Sequence, residues 1–115
     1  HKIADTYDQE FSRTHIHIPY RNPTNRSALH LYIIQIEPSE HKRVFHALRQ
    51  QNIGVNLHYI PVHTQPYYQK LGFSWGDFPN SEAYYKKAIS LPMFPTLSAD
   101  EQNYVANKIK ALCNE

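Results

Sequence analysis

The chain has 115 residues, one domain's worth, and a hydrophobic share of 41% with 19% charged residues excludes disorder by composition. The formal net charge of +2 comes with no run of lysine or arginine longer than a pair, which argues against a nucleic-acid-binding surface. No apolar run approaches the roughly 20 residues of a membrane helix, and no signal-peptide pattern is present. The single cysteine excludes an internal disulfide, so we expect a cytoplasmic protein.

The N-terminal segment predicts a helix followed by a short strand. Ile3, Tyr7 and Phe11 recur every four residues, which places them on one face of a helix over residues 1–12. Because this helix starts at once and the first residue is not methionine, we expect the chain to be a piece of a longer protein. Residues 14–19 alternate between polar and apolar side chains and predict a short strand.

The clearest strand signal lies at residues 28–36. Both of its faces are largely apolar, so we expect helices to cover one face and a body that this chain does not supply to cover the other. The alternation divides the side chains between the faces, with Leu29, Leu31 and Ile33 on one and His30, Tyr32, Ile34 and Ile36 on the other.

A second helix and a second strand follow. The helix is predicted to run from Pro38 to about Gln51, with Ser39 as its cap. Its buried stripe is predicted to consist of Val44, Phe45 and Leu48. Residues 55–60 predict the strand, which ends at Pro61 because proline has no N–H to donate to a ladder.

The last part of the chain predicts three helices and one weak strand. The first helix covers residues 66–71, and the second begins at a cap formed by Asn80 or Ser81. The buried side of the second helix is predicted to carry Tyr84, Tyr85, Ala88 and Ile89. Residues 89–94 form an edge strand at most, and a capping box at residues 98–101 starts the final helix.

These elements predict an α+β fold, in which a short, mostly antiparallel sheet carries helices on one side. Residues 1–115 are predicted to form a single domain, because the sequence contains no repeat and no internal linker.

Residues 58–68, HYIPVHTQPYY, carry the strongest functional signal. The segment combines two imidazoles and three phenols, which need hydrogen-bond partners, with two prolines that stiffen the backbone. A rigid surface with polar tips suits the recognition of a polyhydroxylated ligand. The candidate ligand contacts are His58, Tyr59, His63, Tyr67, His30 and Tyr32. For Tyr59, Tyr68 and Tyr32, the alternative is a half-buried polar network that joins strand ends to a loop.

Other chemistries find no support in the sequence. The eight histidines offer no zinc-like spacing with a third or fourth ligand, so no metal site is predicted. The serines lack a GxSxG motif, the three glycines fit turns and helix ends, and the lysines lie in polar helical segments. We therefore predict no catalytic and no cofactor-binding residue within the chain.

Three stretches resemble, in order, the C-terminal part of the DegT family of pyridoxal-phosphate-dependent sugar aminotransferases. They are SALHLYIIQI at 27–36, NIGVNLHYIPVHTQPYYQKLGF at 52–73 and DFPNSEAYYKKAISLPMFPTLS at 77–98. The likeness covers nearly the whole chain. It is nearest to members that aminate a UDP-linked 4-keto-6-deoxy hexose for pseudaminic acid synthesis, and to those labelled spore coat polysaccharide biosynthesis proteins.

The resemblance implies that the chain is the small C-terminal domain of a fold-type I aminotransferase, usually a homodimer, with residues 1–12 as the end of the inter-domain helix. Pyridoxal phosphate and the Schiff-base lysine would then belong to the large domain of the same protein, which would also cover the open strand face. We expect the fragment alone to be inactive and to bind no cofactor.

The resemblance also implies roles for individual residues. His58, Tyr59 and His63 match motif positions that approach the sugar-nucleotide site, and His30 matches the histidine of the family's H-L-[YF] strand. With Tyr67, they are predicted to position the nucleotide sugar rather than to catalyse. The alternative is a stand-alone carbohydrate- or nucleotide-binding module without chemistry.

Overall fold

The computed structural model describes residues 1–113 and contains five helices and two strands in these residues. This arrangement confirms the predicted α+β class, while residues 114 and 115 of the predicted domain lie outside the described residues. The helices are α1 (Lys2–Phe11), α2 (Pro38–Gln50), α3 (Pro66–Lys70), α4 (Pro79–Tyr85) and α5 (Ala99–Cys113). The strands are β1 (Tyr32–Gln35) and β2 (Ala88–Leu91), and a 3-10 turn spans Val62–Thr64.

The two strands form an antiparallel sheet in which Ile33 pairs with Ser90. One isolated antiparallel bridge extends the sheet beyond β1, between His17 and Gln35. Another extends it beyond β2, between Asn56 and Ser90. The pairing order is therefore His17, β1, β2 and Asn56, and β2 lies inside the sheet.

One face of this sheet packs against α1, α2 and α5 to form the core. Tyr32 and Ile34 of β1 and Ile89 and Leu91 of β2 point to this face and are at most 4% exposed. The helices contribute Tyr7, Phe11, Val44, Leu48, Val105 and Ile109. The predicted apolar stripes of α1 and α2 are thus confirmed, with Phe45 half-buried at the edge of the core.

Polar groups inside the core tie α1 to the rest of the domain. The Tyr7 hydroxyl donates to the carbonyl oxygen of Pro92 at 2.9 Å, and the Tyr32 hydroxyl donates to Asp8 at 2.7 Å. Burial raises the pKa of both phenols, so both remain protonated donors. Asp8 also accepts from Arg21 at 2.9 Å, which holds the loop before β1 against α1.

The strand predicted at 28–36 is shortened to β1. Leu29 has a φ of +49°, a left-handed conformation that interrupts an extended backbone, and its N–H donates to the Ser27 side chain. The strands predicted at 14–19 and 55–60 are also wrong, because each contributes only one of the isolated bridges.

The weak strand predicted at 89–94 is β2, and all four of its residues are buried. The expectation of an edge strand is therefore wrong. Small Ala88 and Ser90 alternate with Ile89 and Leu91, so the sequence lacks the bulky run that marks a strand covered on both faces.

The helix caps differ from the predicted ones in two places. The helix α2 begins at Pro38 and α4 at Pro79, in both cases without a side-chain cap, so the predicted caps at Ser39 and at Asn80 or Ser81 are wrong. Proline at a first helical position lacks an N–H that would otherwise need a partner. The buried residue of α4 is Glu82 rather than a tyrosine.

The capping box of α5 is confirmed. The Glu101 carboxylate accepts from the backbone N–H of Ser98 at 2.9 Å and from its hydroxyl at 2.7 Å. The Ser98 hydroxyl oxygen in turn accepts from the Glu101 N–H at 3.2 Å.

The sheet face opposite the core is covered in part by the chain itself. Ala88 and Ser90 are buried there, whereas Leu31 and Ile33 are half-buried. The surface that was expected to need a cover from outside this chain is therefore limited to the β1 side of this sheet face.

We predict that Ile34→Ala lowers the free energy of unfolding by about 2–5 kcal/mol, because it leaves a cavity in the core. Ile18→Ala is the matched control, since Ile18 is 38% exposed and its truncation should cost about 0.5 kcal/mol or less. Urea denaturation of the 115-residue chain measures both values, and equal losses would contradict this description of the core.

Candidate functional site

His58 and Tyr59 lie beside β2 and form the first part of the site. The Nδ1 atom of His58 is hydrogen-bonded to the Ser90 hydroxyl at 2.7 Å, and the bridge between Asn56 and Ser90 holds the backbone just upstream. The two rings meet edge-on with centroids 4.6 Å apart, across a cis peptide bond. Within the described residues, His58 Nε2 and the Tyr59 hydroxyl have no partner, so both can meet a ligand.

His63 lies beneath the surface and forms the second part. It is 7% exposed, and its Nε2 atom lies 2.8 Å from Glu82 Oε1, which also accepts from the Gly76 N–H at 2.7 Å. The bond from His63, followed by those from the backbone N–H groups of Gly76 and Phe78, holds the pKa of Glu82 below its usual range. An ionised carboxylate only accepts, so His63 Nε2 carries the hydrogen.

A continuous chain of aromatic rings runs through His63 and forms the surface around it. Successive ring centroids lie between 4.8 and 6.4 Å apart. Gly76, at a φ of +98°, makes the turn that brings the loop between α3 and α4 back onto His63. We call these rings the aromatic chain; in order of contact they are Tyr67, Tyr68, Phe73, Phe78, His63, Trp75 and Tyr85.

A cavity of about 340 Å³ opens beside His63. Larger cavities of about 540 and 720 Å³ occur in the domain, but they share no lining residue with this one. The walls of the cavity beside His63 are mostly aromatic and aliphatic, with few polar groups. The lining residues are Val62, His63, Tyr68, Phe73, Phe78 and Ser81.

Among the predicted contacts in residues 1–113, the structure records direct ring contact between His58 and Tyr59. His63 and Tyr67 belong to the same aromatic chain but are separated along it by Phe78, Phe73 and Tyr68. His30 is exposed, and no hydrogen bond or ring contact links it to the other four within residues 1–113.

The placement of Tyr32 with these residues is wrong. Tyr32 points into the core and is 1% exposed. The register pairs Ile33 with Ser90, and Ser90 is the residue that holds His58. The face shared with His58 is therefore that of Ile33.

Sequence reasoning missed the two residues that hold the histidines, Glu82 and Ser90. The motif F-P-x-x-E at 78–82 contained a signal, because a glutamate one turn into a helix is well placed to accept N–H groups near the helix start. Ser90 gave no such signal, since its partner depends on strand pairing.

The described residues contain neither a metal-binding cluster nor a membrane-spanning helix. Within residues 1–113, no group of three or more histidine, cysteine, aspartate or glutamate side chains is placed to hold a metal ion. The helices described for these residues include none with the length and apolar character needed to span a membrane.

Known proteins match this chain along nearly its whole length. Residues 1–110 match the model of the DegT/DnrJ/EryC1/StrS aminotransferase family. The chain belongs to this family. The resemblance inferred from the sequence motifs is thereby confirmed.

Individual relatives agree with this assignment. The spore coat polysaccharide biosynthesis protein SpsC of Bacillus subtilis strain 168 is 35% identical over 116 residues, which are 95% of this chain and 30% of that protein. The dTDP-3-amino-3,6-dideoxy-alpha-D-galactopyranose transaminase of Aneurinibacillus thermoaerophilus is 28% identical over 94% of this chain and 29% of its own length.

Solved structures have the same fold. The apo form of Spr1654 from Streptococcus pneumoniae, described as a sugar aminotransferase, superposes with a TM-score of 0.92 and 30% identity over 98% of this chain and 29% of that one. Its PLP-form superposes with a TM-score of 0.91. The chain therefore spans about 30% of the length of the relatives it matches.

The described residues do not by themselves fit pyridoxal phosphate. A lysine that binds this cofactor covalently has to be desolvated. All seven lysines are exposed or half-buried, and Lys110 is paired with Glu10 at 2.6 Å.

We predict that Glu82→Gln flattens the acid side of the stability profile. The pKa of Glu82 in the folded protein lies below the ordinary value of 4.5. The ionised carboxylate therefore stabilises the fold fully above pH 4.5, and this stabilisation is lost as the pH falls through the lower pKa of the folded state. Between about pH 5 and pH 3, the free energy of unfolding of the variant should fall less steeply than that of the wild type. Glu37→Gln, at an exposed glutamate, should keep the wild-type slope; two identical slopes for Glu82→Gln and wild type would contradict the prediction.

Proposed function

We propose that this chain is the C-terminal substrate-closing domain of a pyridoxal-phosphate-dependent aminotransferase. The proposed reaction transfers an amino group, with glutamate as donor, to the keto group of a nucleotide-linked 4-keto-6-deoxy sugar for surface polysaccharide or nonulosonate biosynthesis. Membership of the aminotransferase family supports the reaction class. The relationship to SpsC and to a dTDP-sugar transaminase supports the sugar substrate.

The observation that carries the domain role is the exposed apolar surface around His63. Nine large apolar side chains between residues 59 and 78 are at least 37% exposed, and monomeric proteins rarely leave so much apolar surface uncovered. We infer that the large domain of the same protein, or its copy in a homodimer, covers this surface. The exposed side chains are Tyr59, Ile60, Val62, Tyr67, Tyr68, Leu71, Phe73, Trp75 and Phe78.

The residues of this chain would bind and orient the sugar rather than react with it. His58 Nε2 and the Tyr59 hydroxyl offer hydrogen bonds to sugar hydroxyls, while the Tyr59 ring, 67% exposed, offers a stacking face. Fixing the keto carbon relative to the reacting amine removes orientational freedom, which lowers a barrier by several kcal/mol in favourable cases. Pyridoxal phosphate, held by the large domain, supplies the electron sink.

The proposed setting is the cytoplasm. A single cysteine, half-buried in α5, fits a reducing compartment.

We expect the full-length protein that contains this chain, supplied with pyridoxal phosphate, L-glutamate and a UDP-4-keto-6-deoxy hexose, to form the amino sugar and 2-oxoglutarate in equal amounts. Mass spectrometry and a coupled 2-oxoglutarate assay measure the two products. Binding of the nucleotide sugar without either product would instead support a binding module without catalysis.

We also expect Tyr59→Phe to raise the KM for the nucleotide sugar about 3- to 10-fold, because one hydrogen bond to the sugar is lost. The kcat should remain nearly unchanged. Tyr104→Phe is the matched control, because Tyr104 is also an exposed tyrosine, at 46%, and lies on α5. Steady-state kinetics and the absorbance of the bound cofactor are the measurements. An unchanged KM in Tyr59→Phe would remove this residue from the site.

A further inference from the structure

The buried pair of Glu82 and His63 is not explained by packing alone. Glu82 is 8% exposed and His63 is 7% exposed, and taking a carboxylate out of water is costly unless its bonds are well formed. Apolar side chains of similar volume would fill this space without that cost. The pair therefore has a role beyond filling space in the structure.

The feature that the pair fixes is the chemical character of the His63 ring. Glu82 accepts a hydrogen bond from the N–H at Nε2, so in the neutral ring Nδ1 carries a lone pair and acts as an acceptor. The N–H of Gly76 anchors the same carboxylate oxygen, which prevents the carboxylate from rotating away.

The Nδ1 atom of His63 has no hydrogen-bond partner within the described residues, and it is not completely shielded from solvent. His63 also lines the 340 Å³ cavity. The His63 ring therefore borders a cavity that opens to solvent.

The chemistry of this cavity matches a hexose ring. Its walls are rings and aliphatic groups, which suit the C–H face of a sugar. The polar side chains among its lining residues are His63, Tyr68 and Ser81. A hydroxyl of the sugar can donate to an acceptor nitrogen, whereas a protonated ring would present a donor instead.

We propose that Glu82 is a positioning residue, which holds His63 as a hydrogen-bond acceptor for one hydroxyl of a hexose bound in this cavity. The proposal rests on the proposed function, because the hexose is the sugar part of the nucleotide-linked substrate. Glu82 itself does not touch the substrate.

The first test is the hydrogen position on His63, read by nitrogen-15 NMR of the 115-residue chain with labelled histidine at pH 8. His63→Gln identifies the resonances of the ring. The expected wild-type ring carries its hydrogen on Nε2. A wild-type ring with the hydrogen on Nδ1 overturns the proposal without any variant of Glu82.

Variants of Glu82 extend this test. Glu82→Ala should let both tautomers of His63 be populated, and Glu82→Gln should keep the Nε2 form because the amide oxygen still accepts. Glu101→Ala is the matched control, since its carboxylate is also bonded at a helix start, by Ser98, but does not contact His63. An unchanged single Nε2 tautomer in Glu82→Ala overturns the proposal.

The second test is kinetic and uses the full-length holoenzyme. Glu82→Ala should raise the KM for the UDP-4-keto-6-deoxy hexose about tenfold, with kcat within about twofold of the wild-type value. Glu82→Gln should have a KM close to that of the wild type. Glu101→Ala should behave as wild type. An active wild type with an unchanged KM in Glu82→Ala overturns this inference alone. An inactive wild type overturns the proposed function, and the NMR measurement still decides whether Glu82 positions His63.

Discussion

The register of β2 against β1 is the constraint on which both the core and the candidate site depend. It places Ile89 and Leu91 in the core, while Ser90 faces the other way and bonds His58. A slip of one residue would put the serine hydroxyl into the core and an isoleucine beside His58. Stability and site geometry are therefore set by the same pairing, and one strand of four residues controls both.

The sequence predicts the helices well because their signals are local. The stripe of Ile3, Tyr7 and Phe11 and the box of Ser98 and Glu101 both depend on neighbours within one or two turns. The strands are less predictable, because their pairing joins segments that are distant in the chain. Ser90 appears polar in the sequence, but the partners that bury it become visible only when the strands are paired.

The same distinction applies to the site. His58 and Tyr59 are adjacent in sequence, so their proximity could be predicted. The alternation that grouped His30 with Tyr32 holds only within a regular strand, and β1 begins at Tyr32. His63 is buried, which apolar packing does not predict for an imidazole. Its burial depends on Glu82, 19 residues further along, which satisfies the ring nitrogen that would otherwise be desolvated without a bond.

The exposed surface and the buried pair are physically coupled, because Phe78 and Trp75 belong to the surface and also contact His63. If the large domain covers these rings as proposed, water is removed from around the pair and the local dielectric constant falls. A hydrogen bond to an ionised carboxylate is stronger in such surroundings, so domain closure would hold the imidazole more tightly. The free-energy cost of burying the Glu82 carboxylate also rises on closure. The second hydrogen bond to this carboxylate, from the Gly76 N–H, offsets part of that cost.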